Sequence, residues 1–223
     1  MKVHQIPAVC KPGVCYGYQN VVFSLLQDIV ETTSTMPYSN FLRGNIFEPL
    51  GMRDSSVGLE AFLDGDNVSR PHRLVQGRWR TTSTNSAYYS VAAAAGVNAT
   101  INDMGVWVRA HLGAFPEVLS RAMLEEIHVP VVESSTRNYF NRWEGMESAY
   151  YGTGWRVFDM FGTRVIHHGG GVRGFRSEMA LIPKENIGMV LMINAESNIM
   201  NEVVPLFVKH ILSVKGGKEE KLN

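Results

Sequence analysis

The stretch Thr163-Arg164-Val165-Ile166-His167-His168-Gly169-Gly170-Gly171-Val172-Arg173-Gly174-Phe175 decides the fold. One apolar run, Thr163 to His168, enters it. A second, Phe175 to Ile182, leaves it, with three consecutive glycines between. Two further runs flank this pair, Thr153 to Asp159 and Ile187 to Asn194. Gly162 and Pro183-Lys184-Glu185-Asn186 have the composition of hairpin connections, so the spacing predicts an antiparallel sheet of about four strands. Asn198 to Leu212 reads as a terminal helix. Its Val203, Val204, Phe207, Val208 and Ile211 form an apolar face ready to cover the sheet. Pro205 disturbs the first turn of that helix, because proline has no amide hydrogen.

Upstream of the sheet the period changes. From Tyr18 on, Val22, Leu25, Leu26, Ile29 and Val30 recur at helical spacing, with Asn20 as the N-cap. A second helix fits Pro37 to Phe47, and Pro49-Leu50-Gly51-Met52 reads as a tight turn that buries Leu50 and Met52. Residues 53–95 are rich in Ser, Thr, Asn, Asp and Gly. They predict a long excursion that lines a site, with short strands around Arg70 to Trp79. Thr100-x-x-Asp103 resembles a capping box ahead of the stripe Ile101, Met104, Val108 and Leu112. Pro116 to Ile127 is a further short helix. Helices first and strands last imply an α+β fold. The helical and loop lobe covers residues 14–150, the sheet with its C-terminal helix 151–213, and a solvated tail 214–223.

Composition narrows the function. Lys plus Arg and Asp plus Glu number 21 each, so no basic excess argues for nucleic acid. No run approaches the ~20 apolar residues of a membrane span. Met1 to Pro7 lacks the apolar core of a signal peptide, so the chain read literally is cytoplasmic. Cys10 and Cys15 do not have Cys-x-x-Cys spacing. The sequence favours two small apolar side chains over a local disulfide. No cofactor motif is present, and His-Glu-x-x-His is absent, so no metal is expected.

Two places can carry chemistry. In Tyr16-Gly17-Tyr18-Gln19-Asn20 a phenol and an amide stand two residues apart at a loop-to-helix junction, where the helix field favours an anion. The same residues can equally be a packed aromatic and an N-cap. In His168-Gly169-Gly170-Gly171 bare N–H groups can hold an acyl oxygen while His168, a cation or donor, orients the substrate. The same residues also fit a glycine-rich hairpin with surface histidines. His167 and His168 point to opposite faces of a strand and so do not share an ion. A nucleophile is missing: no serine has lysine three residues later, the nearest form being Ser134-Ser135-Thr136-Arg137. No Gly-x-Ser-x-Gly elbow exists either.

Taken in order, several motifs resemble the serine beta-lactamase-related and penicillin-binding family. They are Pro12-Gly13, Tyr18-Gln19-Asn20, Phe47-Glu48-Pro49-Leu50-Gly51-Met52, Asp103-Met104-Gly105-Val106-Trp107, Tyr151-Gly152-Thr153-Gly154-Trp155 and His168 to Phe175. The likeness runs from about residue 7 to 212 and is nearest the class C beta-lactamase, D-alanyl-D-alanine carboxypeptidase and esterase branch. It implies Tyr18 as general base and acid, and Asn20 as a contact to the substrate amide. His168, Gly169 and Gly170 stand at the third motif, Gly171 at the oxyanion hole, and Asn194 near the substrate carboxylate. It implies a small-molecule or peptide substrate: a beta-lactam, a D-Ala-D-Ala peptide or an ester. In the family a Ser-x-x-Lys motif stands upstream of Tyr-x-Asn, on a helix preceded by two strands. The chain therefore reads as the C-terminal portion of one such domain, lacking that helix and those strands and inactive alone. The alternatives are a non-catalytic peptidoglycan- or beta-lactam-binding protein, or a half-enzyme complemented by a separate N-terminal chain. A full-length parent would be periplasmic or secreted.

Overall fold

The computed structural model describes residues 6–134 and 143–219. Residues 1–5, 135–142 and 220–223 lie outside them, among these Ser135, Thr136 and Arg137 of Ser134-Ser135-Thr136-Arg137. The helical lobe starts with α1 (Asn20–Phe23) and α2 (Leu25–Ser34), separated at Ser24. α3 (Tyr38–Leu42) follows Pro37 and runs through one π-helical turn into α4 (Glu48–Leu50), which Gly51 ends in the left-handed conformation. Leu50 and Met52 are buried, as the tight turn predicts.

The excursion is more ordered than its composition suggests. β1 (Ser56–Val57) and α5 (Leu59–Leu63) lead to the hairpin β2 (His72–Val75) and β3 (Arg78–Thr81). α6 (Ala92–Ala95) and β4 (Val97–Asn98) follow, and β4 closes back on β1. In α7 (Ile101–His111), Thr100 Oγ1 caps the N-terminus by accepting from Asp103 N–H. The Asp103 carboxylate does not complete a capping box. It is buried and accepts from Asp54 N–H at 3.0 Å and Ser55 Oγ at 2.8 Å, which pins the start of the excursion to α7. α8 (Arg121–Ile127) begins only after its cap, Ser120, rather than at Pro116.

Among the described residues the sheet has six strands, not about four. β5 (Val132–Glu133) and β6 (Met146–Tyr151) extend the predicted set β7 (Arg156–Met160), β8 (Thr163–Val172), β9 (Phe175–Ile182) and β10 (Ile187–Ile193). The order is β10-β9-β8-β7-β6-β5, and every pair is antiparallel. α9 (Met200–Glu219) covers one face and α7 the other. Consecutive residues of β7, Val157 and Phe158, are therefore both fully buried, one in each layer. The helical face predicted on α1 and α2 is only partly covered: Leu25 and Val30 are half-buried, while Val22, Leu26 and Ile29 are exposed.

α7 also buries a histidine pair. His111 Nδ1 and His128 Nε2 lie 3.1 Å apart, and His111 packs on Trp107 and Trp155. Burial pushes His111 down to about 3 and His128 to about 4, with mutual repulsion adding to the shift at His111. A folded value below the unfolded 6.5 means that the unfolded chain takes up the proton first. Stability from His111 is thus present above pH 6.5 and lost as pH falls toward about 3. The expected slope is about 1.4 kcal/mol per pH unit for one such group. Urea melts at pH 7 and pH 5 check this. His111→Gln should flatten the pH dependence by about that slope; an unchanged difference would refute it.

Candidate active site

The loop before α1 carries Tyr16 and Tyr18. Cys10 and Cys15 are joined in a disulfide across this loop, with Cα atoms 6.1 Å apart, so the preference for two free thiols is corrected. A separation of five positions suffices to close such a loop when turn residues such as Pro12-Gly13 reverse the chain, and Val14 N–H bonds back to Lys11 O. Beyond it, Tyr16 stacks on Tyr151 with ring centroids 4.3 Å apart.

Gln19, not Asn20, caps α1: its Oε1 accepts from Val21 N–H at 2.8 Å. The amide of Asn20 is thereby released from the backbone. Its Oδ1 is buried and has no hydrogen-bond partner among the described residues. Tyr18 stands just before the cap, 51 % exposed. Its ring lies 6.2 Å from the ring of His168, and the Arg156 guanidinium carbon sits 5.8 Å above it.

His168 shares the face of the sheet that carries Ile166 and Met179, toward the helical lobe. Its Nδ1 lies 2.8 Å from Gly169 O and must donate there, so Nε2 is the lone-pair nitrogen and faces Tyr151 Oη at 3.4 Å. Burial, then the charge of Arg156, hold His168 down at about 4. Burial and the neighbouring cation thus both favour the neutral imidazole. Burial raises Tyr151 to about 12.

The three glycines lie inside β8 rather than in the connection after it. The hairpins at both ends of β8 fix which way their backbones face. Met160 pairs with Thr163 across the turn Phe161-Gly162, where φ is 48° and 72°, and Val172 pairs with Phe175 across Arg173-Gly174. Closing pairs of two-residue turns are hydrogen-bonded, and the bonds alternate along a strand. Residues 163, 165 and 167 therefore bond toward β7, while 166, 168, 170 and 172 bond toward β9. Gly169 and Gly171 continue the β7-facing set, but β7 pairing ends at Arg156–His167. Their N–H groups face an edge that no strand among the described residues pairs with, and Gly170 and Gly171 are exposed.

The glycines also answer a demand from below. A Cβ on Gly169 would lie 2.8 Å from the Glu178 carboxylate, and one on Gly170 would collide with Ser177 Oγ. Glu178 is buried and bonds His167 Nε2 at 2.5 Å. Burial raises the Glu178 carboxyl to about 7 and drives His167 well down, so the site disfavours charge on both partners. His167 and His168 do point to opposite faces. Among the described residues no three His, Cys, Asp or Glu side chains converge to hold a metal ion.

Tyr18 and His168 thus lie side by side, with Tyr18 on the wall of a cleft of about 290 Å³ that Tyr16, Val22, Phe23 and Tyr151 also line, while Gly171 lines a separate cleft with Arg173 and Glu196. Asn194 is engaged elsewhere: its Nδ2 donates to Arg70 O at 3.0 Å, and its own carbonyl accepts from His72 Nδ1 at 3.0 Å. Arg156 was not singled out in the sequence. A cation directly before the buried pair Val157-Phe158 is the signal that marks it. Among the described residues no helix is long and apolar enough to cross a membrane.

The sequence profile of the Beta-lactamase family matches residues 2–206. The D-aminopeptidase of Gluconobacter oxydans (strain 621H) is 28 % identical over 186 residues, 82 % of this chain and 32 % of that protein. The D-alanyl-D-alanine-carboxypeptidase/endopeptidase AmpH of Escherichia coli (strain K12) is 26 % identical over 82 % of this chain and 46 % of its own length. The octameric penicillin-binding protein homologue from Pyrococcus abyssi superposes with a TM-score of 0.77 at 22 % identity, covering 91 % of this chain and 44 % of that one. The chain spans less than half the length of these relatives.

Proposed function

Because the chain belongs to the beta-lactamase family, we propose that it forms one wall of an acyl-transfer cleft acting on peptide, amide or ester bonds. Tyr18 moves the proton between nucleophile and leaving group. Asn20 takes the substrate amide, Gly170 and Gly171 line the acyl group, and the Gly171 N–H supplies half of the oxyanion hole. Asn194 holds the end of β10 against Arg70 near the substrate carboxylate. The observation that carries this reading is the approach of the Tyr18 and His168 rings to 6.2 Å just where the pairing of β8 with β7 ends.

The 223 residues contain no Ser-x-x-Lys, so the serine and lysine are proposed to come from outside them. On this reading the 223 residues do not catalyse by themselves, and a segment or polypeptide that carries Ser-x-x-Lys completes the cleft. A neutral His168 where many beta-lactamases hold a charged lysine favours esters and D-amino-acid peptides over beta-lactams. The Cys10–Cys15 disulfide supports an oxidising compartment, periplasmic or secreted, for the parent protein. The missing nucleophile also supports a second reading, a binding protein that holds peptidoglycan peptides or penicillins without covalent labelling.

Mass spectrometry after incubation with a penicillin tests the assignment, with and without a polypeptide carrying Ser-x-x-Lys. The expected adduct is on that polypeptide's serine only. An acyl adduct on a serine of this chain would sink the reading, and saturable binding with no adduct in either sample would favour the binding protein.

A further inference from the structure

The β2–β3 hairpin is wetted on both faces: every residue from Arg73 to Thr81 is exposed. Its turn, Gln76-Gly77, has φ of 50° and 73°, the left-handed pair that closes a two-residue hairpin. The register sets Leu74 opposite Trp79, Val75 opposite Arg78 and Arg73 opposite Arg80. One face of the ribbon is thus the apolar pair Leu74 and Trp79, and the other carries Arg73, Arg78 and Arg80 around Val75. Leu74, Val75 and Trp79 all lie within two positions of the turn, which is itself uncharged. A two-stranded ribbon with water on both sides is marginal by itself, and like charges directly opposed across it destabilise it further.

The charge around this ribbon is one-sided. Between Asp66 and Asp103 the sequence holds Arg70, Arg73, Arg78 and Arg80 and no acidic residue, in a chain of zero net charge. Glu196 reaches in from beyond β10 and pairs with Arg73 at 3.2 Å. Arg78 and Arg80 have no ion pair among the described residues. Unpaired guanidinium groups beside exposed Leu74, Val75 and Trp79 match an anionic bilayer. Lipid phosphates take the cations, the aliphatic groups enter the acyl boundary, and the amphipathic indole sits at the level of the headgroups. A soluble polyanion would satisfy the arginines but leave Leu74 and Val75 in water. The exposed apolar face of α2, Leu26 and Ile29, has Asp28 and Glu31 beside it, and an anionic surface repels these.

We propose that the β2–β3 hairpin docks the protein turn-first onto an anionic lipid surface, with Leu74, Val75 and Trp79 at the acyl boundary and Arg78 and Arg80 on the lipid phosphates. The purified chain is mixed with phosphatidylcholine vesicles, with and without about 30 % phosphatidylglycerol, and binding is read by sedimentation. The anionic vesicles should bind about 20-fold more tightly at low salt, and Arg78→Gln with Arg80→Gln should reduce that preference to about twofold. Of the four tryptophans only Trp79 is exposed, so its emission reports insertion. On binding, the emission should shift to the blue and be quenched by brominated acyl chains. Trp79→Phe should remove both signals, and Leu74→Ser with Val75→Ser should release the chain from the vesicles. Leu26→Ser with Ile29→Ser, on α2, should leave binding as it was. All these positions are exposed, and circular dichroism checks that each variant keeps its fold. Equal binding to the two vesicles, quenching that persists in Trp79→Phe, or release by the α2 variant overturns the proposal. So does polyglutamate binding as tight as that of the anionic vesicles, which would mark a polyanion site without insertion. None of these results bears on the adduct experiment or on the acyl-transfer reading.

Discussion

Replacing Tyr18 by Phe, in a preparation completed with Ser-x-x-Lys, is expected to lower acyl transfer about 10²- to 10⁴-fold, the usual contribution of a positioned acid or base. The change deletes one oxygen from a half-exposed ring and leaves its contacts with His168 and Arg156 in place. Thermal stability should therefore hold while the rate collapses. His168→Gln supplies a contrast, since a neutral imidazole that bonds Gly169 O orients rather than transfers a proton. Its effect should be smaller and fall partly on KM. Single-turnover acylation of an ester substrate separates the two. A Tyr18→Phe rate within threefold of the parent would remove Tyr18 from the chemistry.

The second large effect concerns stability. Phe158→Ala should destabilise the chain by about 3–5 kcal/mol, through lost transfer energy and the cavity left behind. Phe158 is fully buried under α9, stacks on His167 at 5.4 Å and meets the Trp143 ring edge-on at 5.7 Å. The cavity would open beside the buried His167–Glu178 pair, whose 2.5 Å hydrogen bond any collapse into it would stretch. Ile101→Ala is the control: 52 % exposed on α7, it should cost no more than about 0.5 kcal/mol. Urea melts with matched m-values check both. A Phe158→Ala cost below about 1.5 kcal/mol would mean that the layer repacks freely.

Much of the fold was legible because its signals are local. The runs over β7 to β10 are apolar in consecutive residues, as strands covered on both faces must be. α7 announced itself by Thr100 and by a stripe at helical spacing. β6 was missed because Met146-Glu147-Ser148-Ala149-Tyr150-Tyr151 has too few branched apolar residues to read as a strand. It is a strand because β7 offers it a ladder. The cap of α1 was misplaced by one residue because Gln19 and Asn20 both carry an amide oxygen, and only the backbone angles of Gln19 distinguish them.

The sequence by itself determined the family, the order of helices before strands, and the pairing of a tyrosine motif with a glycine-rich strand. Those are properties of type and spacing along the chain. Tertiary structure alone decided that Gly169 and Gly171 face an open edge, because that depends on where β7 stops pairing. It alone made His168 neutral, buried Glu178 beneath Gly169, and set Arg156 over Tyr18. Each of these depends on which residues become neighbours across strands, and on how much water their meeting excludes. The register supplies that information, and spacing along the chain does not.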